Sequence, residues 1–420
     1  MTSPCACNSQ KTPAKTDESS DPSSSYKIKI DEEHEIGGGG RDAFCGPLFL
    51  GTFNNTKVAV RAYSDKQDTY ANNEINHIRA VDGHPNIIHS PYSEVQGNRI
   101  CVVLELFEAN LFDFIRTKEL QNTIKIKVED VLDGVSQGLA ALHHRRIALT
   151  NLKPTNILLS RGFPNPKVVV ADLGFSKKKP SPTDPKYDKD LLDFAKLVQF
   201  CLTDPGKTAQ GWEEYKKTTW DVTTWDVEVA QKESCHFLAE HLIARLTDPD
   251  VAKIPASFIN RHPFFWSDDL KLDYIQAVSE KIKSVKFPAP EHHLLQMGSD
   301  DVMQNNFHAQ LCPAILQEAL KGHYIKERVS DVLRLMRNFK AHFYEAKAPV
   351  SQVFSPTDEP TVILEYFEQR FPELLTFVFK ATQYLGHTKG FRRFFPGEIS
   401  LHESAKDQHS DWNRKNPKRI

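Results

Sequence analysis

The pattern of apolar residues changes once along the chain, and this change limits the folds open to it. Residues 28 to about 120 alternate short β-rich runs, such as Lys57–Arg61 and Ile100–Glu105, with Gly, Asn and Asp. From about residue 126 onward helical periodicity dominates, broken by β runs at Asn156–Leu159 and Lys167–Ala171. This pattern predicts an α+β protein with a small β-rich lobe followed by a larger helical lobe.

Composition and charge exclude several classes of protein. With 40% hydrophobic and 26% charged residues, a chain of 420 residues is typical of a globular protein with two or three domains. The formal net charge of -2 gives no global field for a nucleic acid, so an RNA partner needs a local site. The longest near-apolar run, Val168–Leu173, is far short of the ~20 residues that span a bilayer. Seven scattered cysteines favour a reducing compartment, and we expect a cytoplasmic protein without a membrane partner.

Polar composition predicts disorder at both ends of the chain, in residues 1–26 and as a flexible tail in residues 399–420. A further polar insert at about 204–230 contains the near-repeat Thr219–Val222 and Thr224–Val227. Two copies are too few for a repeat architecture, so this insert is interpreted as a surface loop or short hairpin.

The segment Leu152–Leu159 followed by Ala171–Gly174 resembles the catalytic loop and metal-binding motif of protein kinases. Two further landmarks fall in register. Val58–Arg61 stands where the strand with the phosphate-pairing lysine would lie, and Glu74 precedes His84–Ile87 by ten residues, as a glutamate of the kinase helix C would. These landmarks, in order over about 120 residues, predict a bilobal protein-kinase-like domain at residues 27–266.

Four departures from the kinase pattern predict that the domain does not transfer phosphate. Asn151 stands where a carboxylate would accept the hydroxyl proton, and an amide cannot do so. Arg61 replaces the lysine, which is not a conservative change. Glycines 37–40 and 46 do not fit the glycine-rich loop spacing, and only fifteen residues separate Gly174 from Asp190, so most of the activation segment is missing.

The remaining cleft residues leave two interpretations open. By resemblance, Asp172, Asn156, Lys153, Glu74 and Arg61 are candidates to bind an adenine nucleotide, ATP or ADP with magnesium. Alternatively, these residues persist as hydrogen bonds and ion pairs that close the two lobes on each other.

The kinase-like part is expected to end at His262–Trp266, and about 150 mostly helical residues follow. On an ideal helix at ~100° per residue, Asp331, Asn338 and His342 fall in a narrow wedge. An apolar stripe lies beside that wedge: Val332, Leu335, Met336, Phe339 and Phe343. A histidine, an amide and a carboxylate on one face form a plausible acid/base site, and the alternative is a satisfied histidine beside a helix core.

This extension resembles the kinase-extension nuclease family, which includes the inositol-requiring sensor of the unfolded protein response and the 2-5A-dependent ribonuclease. The resemblance covers roughly residues 30–398 and is most specific in Asp331–Asn338, His342 and Arg370–Leu375. It implies an all-α ribonuclease domain at residues 267–398. It also implies that this domain is active as a homodimer, with the kinase-like domain as the dimerisation platform.

The resemblance assigns His342 as the general acid/base, Arg337 and Asn338 as its neighbours, and Tyr324 as the catalytic tyrosine. The implied reaction is attack of a ribose 2′-hydroxyl on the adjacent phosphate of RNA, which needs a base, an acid and a cation but no metal. Arg337 lies about 140° round the ideal helix from His342. It must therefore reach across, act in the site of a dimer partner, or be structural.

Two aromatic segments and one rival function complete the expectations. The tyrosine that the 2-5A-dependent ribonuclease uses aligns with Phe377 or Phe379, so base preference is expected to differ. Phe391–Phe395 either binds single-stranded RNA by charge and stacking or is a helix end that docks on the core.

The leading hypothesis is an RNA-cleaving enzyme that does not use DNA. The alternative is a catalytically inactive scaffold that dimerises with an active relative.

Overall fold

The computed structural model describes ten segments of the chain: residues 28–37, 46–162, 164–178, 185–203, 212–215, 234–247, 255–285, 290–297, 299–354 and 359–395. The two predicted tails, most of the insert at 204–230 and glycines 38–40 lie outside them. Within the described residues, no helix is both long and apolar enough to cross a membrane.

The N-terminal lobe is a five-stranded antiparallel sheet packed on one helix. Its elements are β1 (Ile28–Gly37), β2 (Leu48–Phe53), β3 (Thr56–Ser64), α1 (Asp68–Ala80), β4 (Tyr92–Gln96) and β5 (Arg99–Leu104). The spatial order is β1-β2-β3-β5-β4.

Side chains of β3 alternate between two apolar layers, as the two-residue period of a strand requires. Val58 and Val60 pack in a small cluster on the outer face, whereas Ala59 and Tyr63 join the main core on the inner face. Arg61 lies on the same face of β3 as Ala59 and Tyr63, because the three positions are two residues apart. The strand therefore directs a charged side chain toward α1 and the space between the lobes.

The second lobe is mainly helical and contains short β pairs. Its strands are β6 (Ala109–Asn110), β7 (Ile147–Ala148), β8 (Ile157–Ser160), β9 (Lys167–Val170) and β10 (Lys177–Lys178). Its helices are α2 (Leu111–Phe114), α3 (Lys118–Ile124), α4 (Val128–His144), α5 (Pro185–Leu202), α6 (Trp212–Tyr215), α7 (Ser234–Thr247) and α8 (Ala256–Ile259). The two β runs predicted in this half are confirmed as β8 and β9. Gly138 lets α4 approach the backbone of Asn86 closely, because a Cβ at position 138 would lie 2.8 Å from the Asn86 carbonyl oxygen.

The C-terminal part contains helices and 3-10 turns in its described residues. The helices are α9 (Asp268–Ser284), α10 (Pro290–Leu294), α11 (Ser299–Met303), α12 (Pro313–Lys321), α13 (Val329–Ala341), α14 (Val350–Val353), α15 (Thr361–Glu368) and α16 (Leu374–Thr382). The predicted apolar stripe is confirmed for Val332, Leu335 and Met336 of α13, which are buried where α13 packs on α9. Phe339 is half-buried, and Phe343 lies beyond the end of the helix.

An aromatic cluster joins the kinase-like lobe to the C-terminal helices. The ring of Trp266 lies 5.1 Å from that of Tyr274 and 5.9 Å from that of Phe379. Phe394 and Phe395 complete this junction cluster, with centroids 5.0 Å from Tyr274 and 6.0 Å from Phe379 respectively. Both are buried, so the 391–395 segment docks on the core as predicted, but it does so as a series of turns and not as a helix end.

A pair of histidines borders the junction cluster. His241 of α7 and His262 lie 5.7 Å and 5.3 Å from the ring of Phe379. The Nε2 of His262 lies 2.8 Å from the Nδ1 of His241, and the Nδ1 of His262 accepts a hydrogen bond from the Phe264 amide. The backbone donor leaves the proton of His262 on Nε2, from which it is donated to His241. Both rings are therefore neutral in this arrangement.

Acidification is expected to weaken this junction. Burial lowers the pKa of His241 to about 3 and holds the pKa of His262 well below 6.5. Below pH about 6.5 the unfolded chain then binds protons that the folded chain does not, so stability is complete above that pH and is lost as the pH falls. At pH about 5 the loss is about 2 kcal/mol for each histidine that stays neutral.

The measurement is the thermal unfolding midpoint as a function of pH. The His241→Gln variant should lose less stability on acidification than the wild type. His144→Gln, at an exposed position of α4, should keep the wild-type dependence. A wild-type midpoint that is unchanged between neutral and acidic pH would contradict the neutral pair.

Candidate active site in the C-terminal helices

The turn between α12 and α13 presents Tyr324 to the side of α13. Gly322 makes this turn possible, because a Cβ at that position would lie 2.1 Å from a ring carbon of Tyr324. His323 follows in the left-handed region with φ 53°. Asn338 lies in the last turn of α13, which ends at Ala341, and His342 follows directly as the C-cap residue.

Three side chains form a hydrogen-bonded chain across α13. The Nδ2 of Asn338 donates to the hydroxyl of Tyr324 at 2.7 Å, and the Nη2 of Arg337 donates to the Oδ1 of Asn338 at 3.0 Å. The guanidinium fixes the amide orientation, since Arg can only donate. Because the Tyr324 oxygen already accepts from Asn338, its own hydrogen is available to another acceptor.

Tyr324, Asn338 and His342 line one cleft of about 700 Å³, together with Glu345, Lys321 and Lys347. The side chain of His342 is exposed, and its Nδ1 lies 2.9 Å from the Oε2 of Glu345. That contact leaves Nε2 as the ring nitrogen open to the cleft. An imidazole and a phenol hydroxyl in one cleft are suited to proton transfer near neutral pH.

Arg337 faces away from this cleft. It lines a second groove of about 510 Å³ with residues of α9, among them Gln276 and Lys283, and Asn338 belongs to both depressions. The angular separation between Arg337 and His342 expected from the ideal helix is thus seen in the structure. Within one chain, Arg337 reaches the first cleft through Asn338.

Asp331 does not line the cleft, which corrects the expectation that it shares a site with Asn338 and His342. Its Oδ2 accepts a hydrogen bond from the Ile325 amide at 2.9 Å, and its Oδ1 lies 3.2 Å from the Nε of Arg334. The angular position of a residue does not give its position along the helix axis, and a separation of eleven residues puts roughly 16 Å between Asp331 and His342.

Sequence reasoning missed two residues that organise the site. The guanidinium of Arg334 lies 4.1 Å above the ring of Tyr324 and donates to the carbonyl oxygens of Gly322 and His323. Glu345 contacts His342 directly. A three-residue spacing in the sequence could have identified both of them. Arg334 lies three residues after its partner Asp331, and Glu345 lies three residues after its partner His342.

Phe379, one of the two positions aligned with the base-contacting tyrosine, is buried in the junction cluster and does not face the cleft. Phe377 is half-buried on the same helix. The expected difference in base preference stays a prediction.

The kinase-like cleft brings four of the five candidate nucleotide-binding residues together. The Nη1 of Arg61 lies 2.7 Å from Asp172 Oδ1 and 3.5 Å from Glu74 Oε1. The Nδ2 atoms of Asn156 and Asn151 donate to Asp172 Oδ2 at 3.1 Å and 3.4 Å. The fifth candidate, Lys153, is half-buried at the start of the 3-10 turn Pro154–Asn156.

These residues, as arranged, do not fit a magnesium ion. Magnesium takes oxygen ligands at short distance in near-octahedral geometry, which a guanidinium in contact with the same carboxylate opposes by charge repulsion. Both oxygens of Asp172 accept hydrogen bonds, one of them from the Arg61 guanidinium. The geometry favours the second of the two interpretations, in which these groups close the lobes. In the described part of the chain, no three or more His, Cys, Asp or Glu side chains form a group that could hold a metal ion.

Two family models match the chain: a protein kinase domain over residues 52–198 and Ribonuclease 2-5A over residues 271–395. The class of protein is therefore a kinase domain followed by a ribonuclease domain, and the predicted fold is confirmed. Both parts of the chain are thus similar to the kinase-extension nucleases, as predicted, among which are kinase/endoribonucleases and the 2-5A-dependent ribonuclease.

Relatives share this arrangement at modest identity. The serine/threonine-protein kinase/endoribonuclease ire-1 of Caenorhabditis elegans is 26% identical, over 84% of this chain and 39% of its own length. The kinase/endoribonuclease IRE2 of Homo sapiens is 26% identical, over 88% of this chain and 43% of its own length. The human 2-5A-dependent ribonuclease is 23% identical, over 87% of this chain and 48% of its own length. The chain thus spans less than half the length of these relatives.

Asp331→Ala is expected to lower the free energy of unfolding by about 1–3 kcal/mol, because the Ile325 amide loses a charged acceptor and Arg334 loses its ion-pair partner. Asp331→Asn keeps an acceptor and should cost less. Thermal unfolding midpoints provide the measurement, with Glu327→Ala as the control, since that exposed carboxylate lies in the same turn. If Asp331→Ala keeps the wild-type stability but loses RNA cleavage, Asp331 would again be a candidate catalytic residue.

Proposed function

We propose that the protein is an endoribonuclease that cleaves RNA without a metal ion. The observation that carries the proposal is the shared cleft of Tyr324, Asn338 and His342, in which the phenol hydrogen is left available for donation. The ribose 2′-hydroxyl attacks the adjacent phosphorus, and the bond to the 5′-oxygen breaks. The products are a 2′,3′-cyclic phosphate and a free 5′-hydroxyl.

The reaction needs two proton transfers and stabilisation of the phosphorane charge. His342 Nε2 and the Tyr324 hydroxyl are the groups that exchange protons with the 2′- and 5′-oxygens. Asn338 positions the tyrosine, and Arg337 orients Asn338 and contributes positive charge. Lys347 adds a cation at the wall of the cleft. DNA is excluded as a substrate because it lacks the attacking hydroxyl.

The proposed active form is a homodimer assembled on the kinase-like domain. In the C-terminal helices, which such a dimer would also bring together, three large apolar side chains adjacent in sequence to cleft residues are exposed in the single chain: Leu320 at 60%, Ile325 at 42% and Tyr344 at 80%. A second chain would cover such a surface at a gain of about 25 cal/mol per Å². We place this dimer in the cytoplasm, on composition alone.

Cleavage of a generic single-stranded RNA in excess EDTA is expected to rise faster than linearly with protein concentration. His342→Ala should reduce the rate by about 100- to 10,000-fold, because general acid–base catalysis contributes that much. His144→Ala is the matched control and should keep the wild-type rate, since His144 is exposed on α4. Product ends and rates can be followed by electrophoresis.

The same assay separates the nuclease from its rival. RNA with 2′-O-methyl groups should remain intact, since the nucleophile is blocked. If wild-type protein leaves unmodified RNA intact at every concentration, the catalytically inactive scaffold becomes the better description.

The kinase-like domain is proposed to be inactive in phosphotransfer, because the amide of Asn151 cannot accept the proton of a substrate hydroxyl. Incubation with radiolabelled ATP is expected to give no phosphate incorporation into the protein or into an added peptide. Incorporation that is abolished by Asp172→Ala would contradict this assignment.

A further inference from the structure

The kinase-like cleft contains a buried ionic triad formed by Arg61, Glu74 and Asp172. The three residues are 8%, 0% and 5% exposed, so bulk water screens none of them effectively. Arg61 comes from β3, Glu74 from α1 and Asp172 from the segment after β9. One guanidinium thus joins three separate parts of the two lobes.

Asp172 is aimed into this triad by its backbone. It lies in the left-handed region with φ 62°, which non-glycine residues adopt rarely. One carboxylate oxygen faces Arg61, and the other accepts from the amides of Asn151 and Asn156. The strained backbone therefore brings a carboxylate into contact with three donors of this chain.

Charge in the cleft is nearly balanced without a divalent cation. Arg61 offsets one of the two carboxylates, and the hydroxyl of Tyr63 donates to the other carboxylate, Glu74, at 2.6 Å. Burial raises the pKa of Glu74. A carboxylate at position 151 would have added a third negative charge, but Asn151 adds a donor instead.

Contacts between α1 and residues 172–176 hold the lobes together independently of the triad. Asn73 Nδ2 donates to the Gly174 carbonyl oxygen at 3.3 Å, and His77 Nδ1 lies 2.5 Å from the Ser176 hydroxyl. The rings of Tyr70 and Phe175 lie 5.1 Å apart. The closed arrangement is thus built from side chains of the protein itself.

We infer that Arg61 is the resident cation of the kinase-like cleft. It occupies the position against Asp172 that magnesium would take, and it holds α1 and the Asp172–Ser176 segment together. The closed cleft therefore forms without a magnesium–nucleotide complex, and such a complex does not stabilise it further. This inference concerns the cleft alone, and its test does not depend on RNA cleavage.

The test uses ADP as the probe, with magnesium or with EDTA, on the full chain. For the wild type, neither the thermal unfolding midpoint nor amide hydrogen exchange in residues 172–176 should change when magnesium and ADP are added. Arg61→Lys replaces the planar fork with a single hydrated ammonium, which cannot hold both carboxylates in the same way. That variant should show a magnesium-dependent rise of the midpoint with ADP.

Lys57→Arg is the matched control, because Lys57 is an exposed residue of the same strand and should leave the wild-type behaviour unchanged. A wild-type rise of the midpoint, or protection of residues 172–176 that appears only with magnesium and ADP, would overturn the inference. So would a folded Arg61→Lys protein that does not respond. If Arg61→Lys fails to fold, hydrogen exchange of the wild type alone decides the question.

Discussion

The aromatic contacts at the junction of the two domains determine how the rest of the molecule is arranged. Phe379 of α16 touches rings from both sides: His241 and His262 from the kinase-like lobe, and Tyr274 and Phe395 from the C-terminal part. Aromatic side chains bury large apolar areas with specific ring geometry. Buried residues of the two domains consequently form one continuous hydrophobic core.

This continuous core fixes the position of the proposed active-site cleft. Tyr274 of α9 is fully buried in the junction cluster, so α9 has a fixed direction. Helix α13 lies on α9 along its apolar stripe, and Lys340 of α13 contacts Asp273 of α9. Asn338 and His342 therefore take their positions from a helix that is anchored to the kinase-like lobe. Domains joined through a large hydrophobic interface do not move freely against each other.

The sequence pattern predicted the direction in which side chains of α13 point better than it predicted which of them lie close together. The period of α13 correctly identified the buried stripe and the outward position of Arg337. The same pattern wrongly placed Asp331 in the site, because a helical wheel shows the angle of each residue and not its position along the helix axis. It also assumed that the helix continues through Phe343, whereas α13 ends at Ala341 and His342 has φ -115°. Motif order located the kinase-like landmarks, and it marked Arg61 as a replaced lysine and a candidate nucleotide-binding residue. The contact of Arg61 with Asp172 was not predicted, because these residues are 111 positions apart and meet only in the folded structure.

A rigid junction and a self-closed cleft together restrict how such a protein can be controlled. A nuclease tethered by a flexible linker could be switched by domain motion, and a ligand-dependent cleft could be switched by nucleotide. Neither route fits a continuous core combined with a buried Arg61–Asp172 pair. What can still vary is the contact between separate chains. Arg337 and the exposed residues beside His342 lie on the surface and are available for such a contact. The proposed control by self-association needs no internal rearrangement, because the differential free energy between states would come from the new interface.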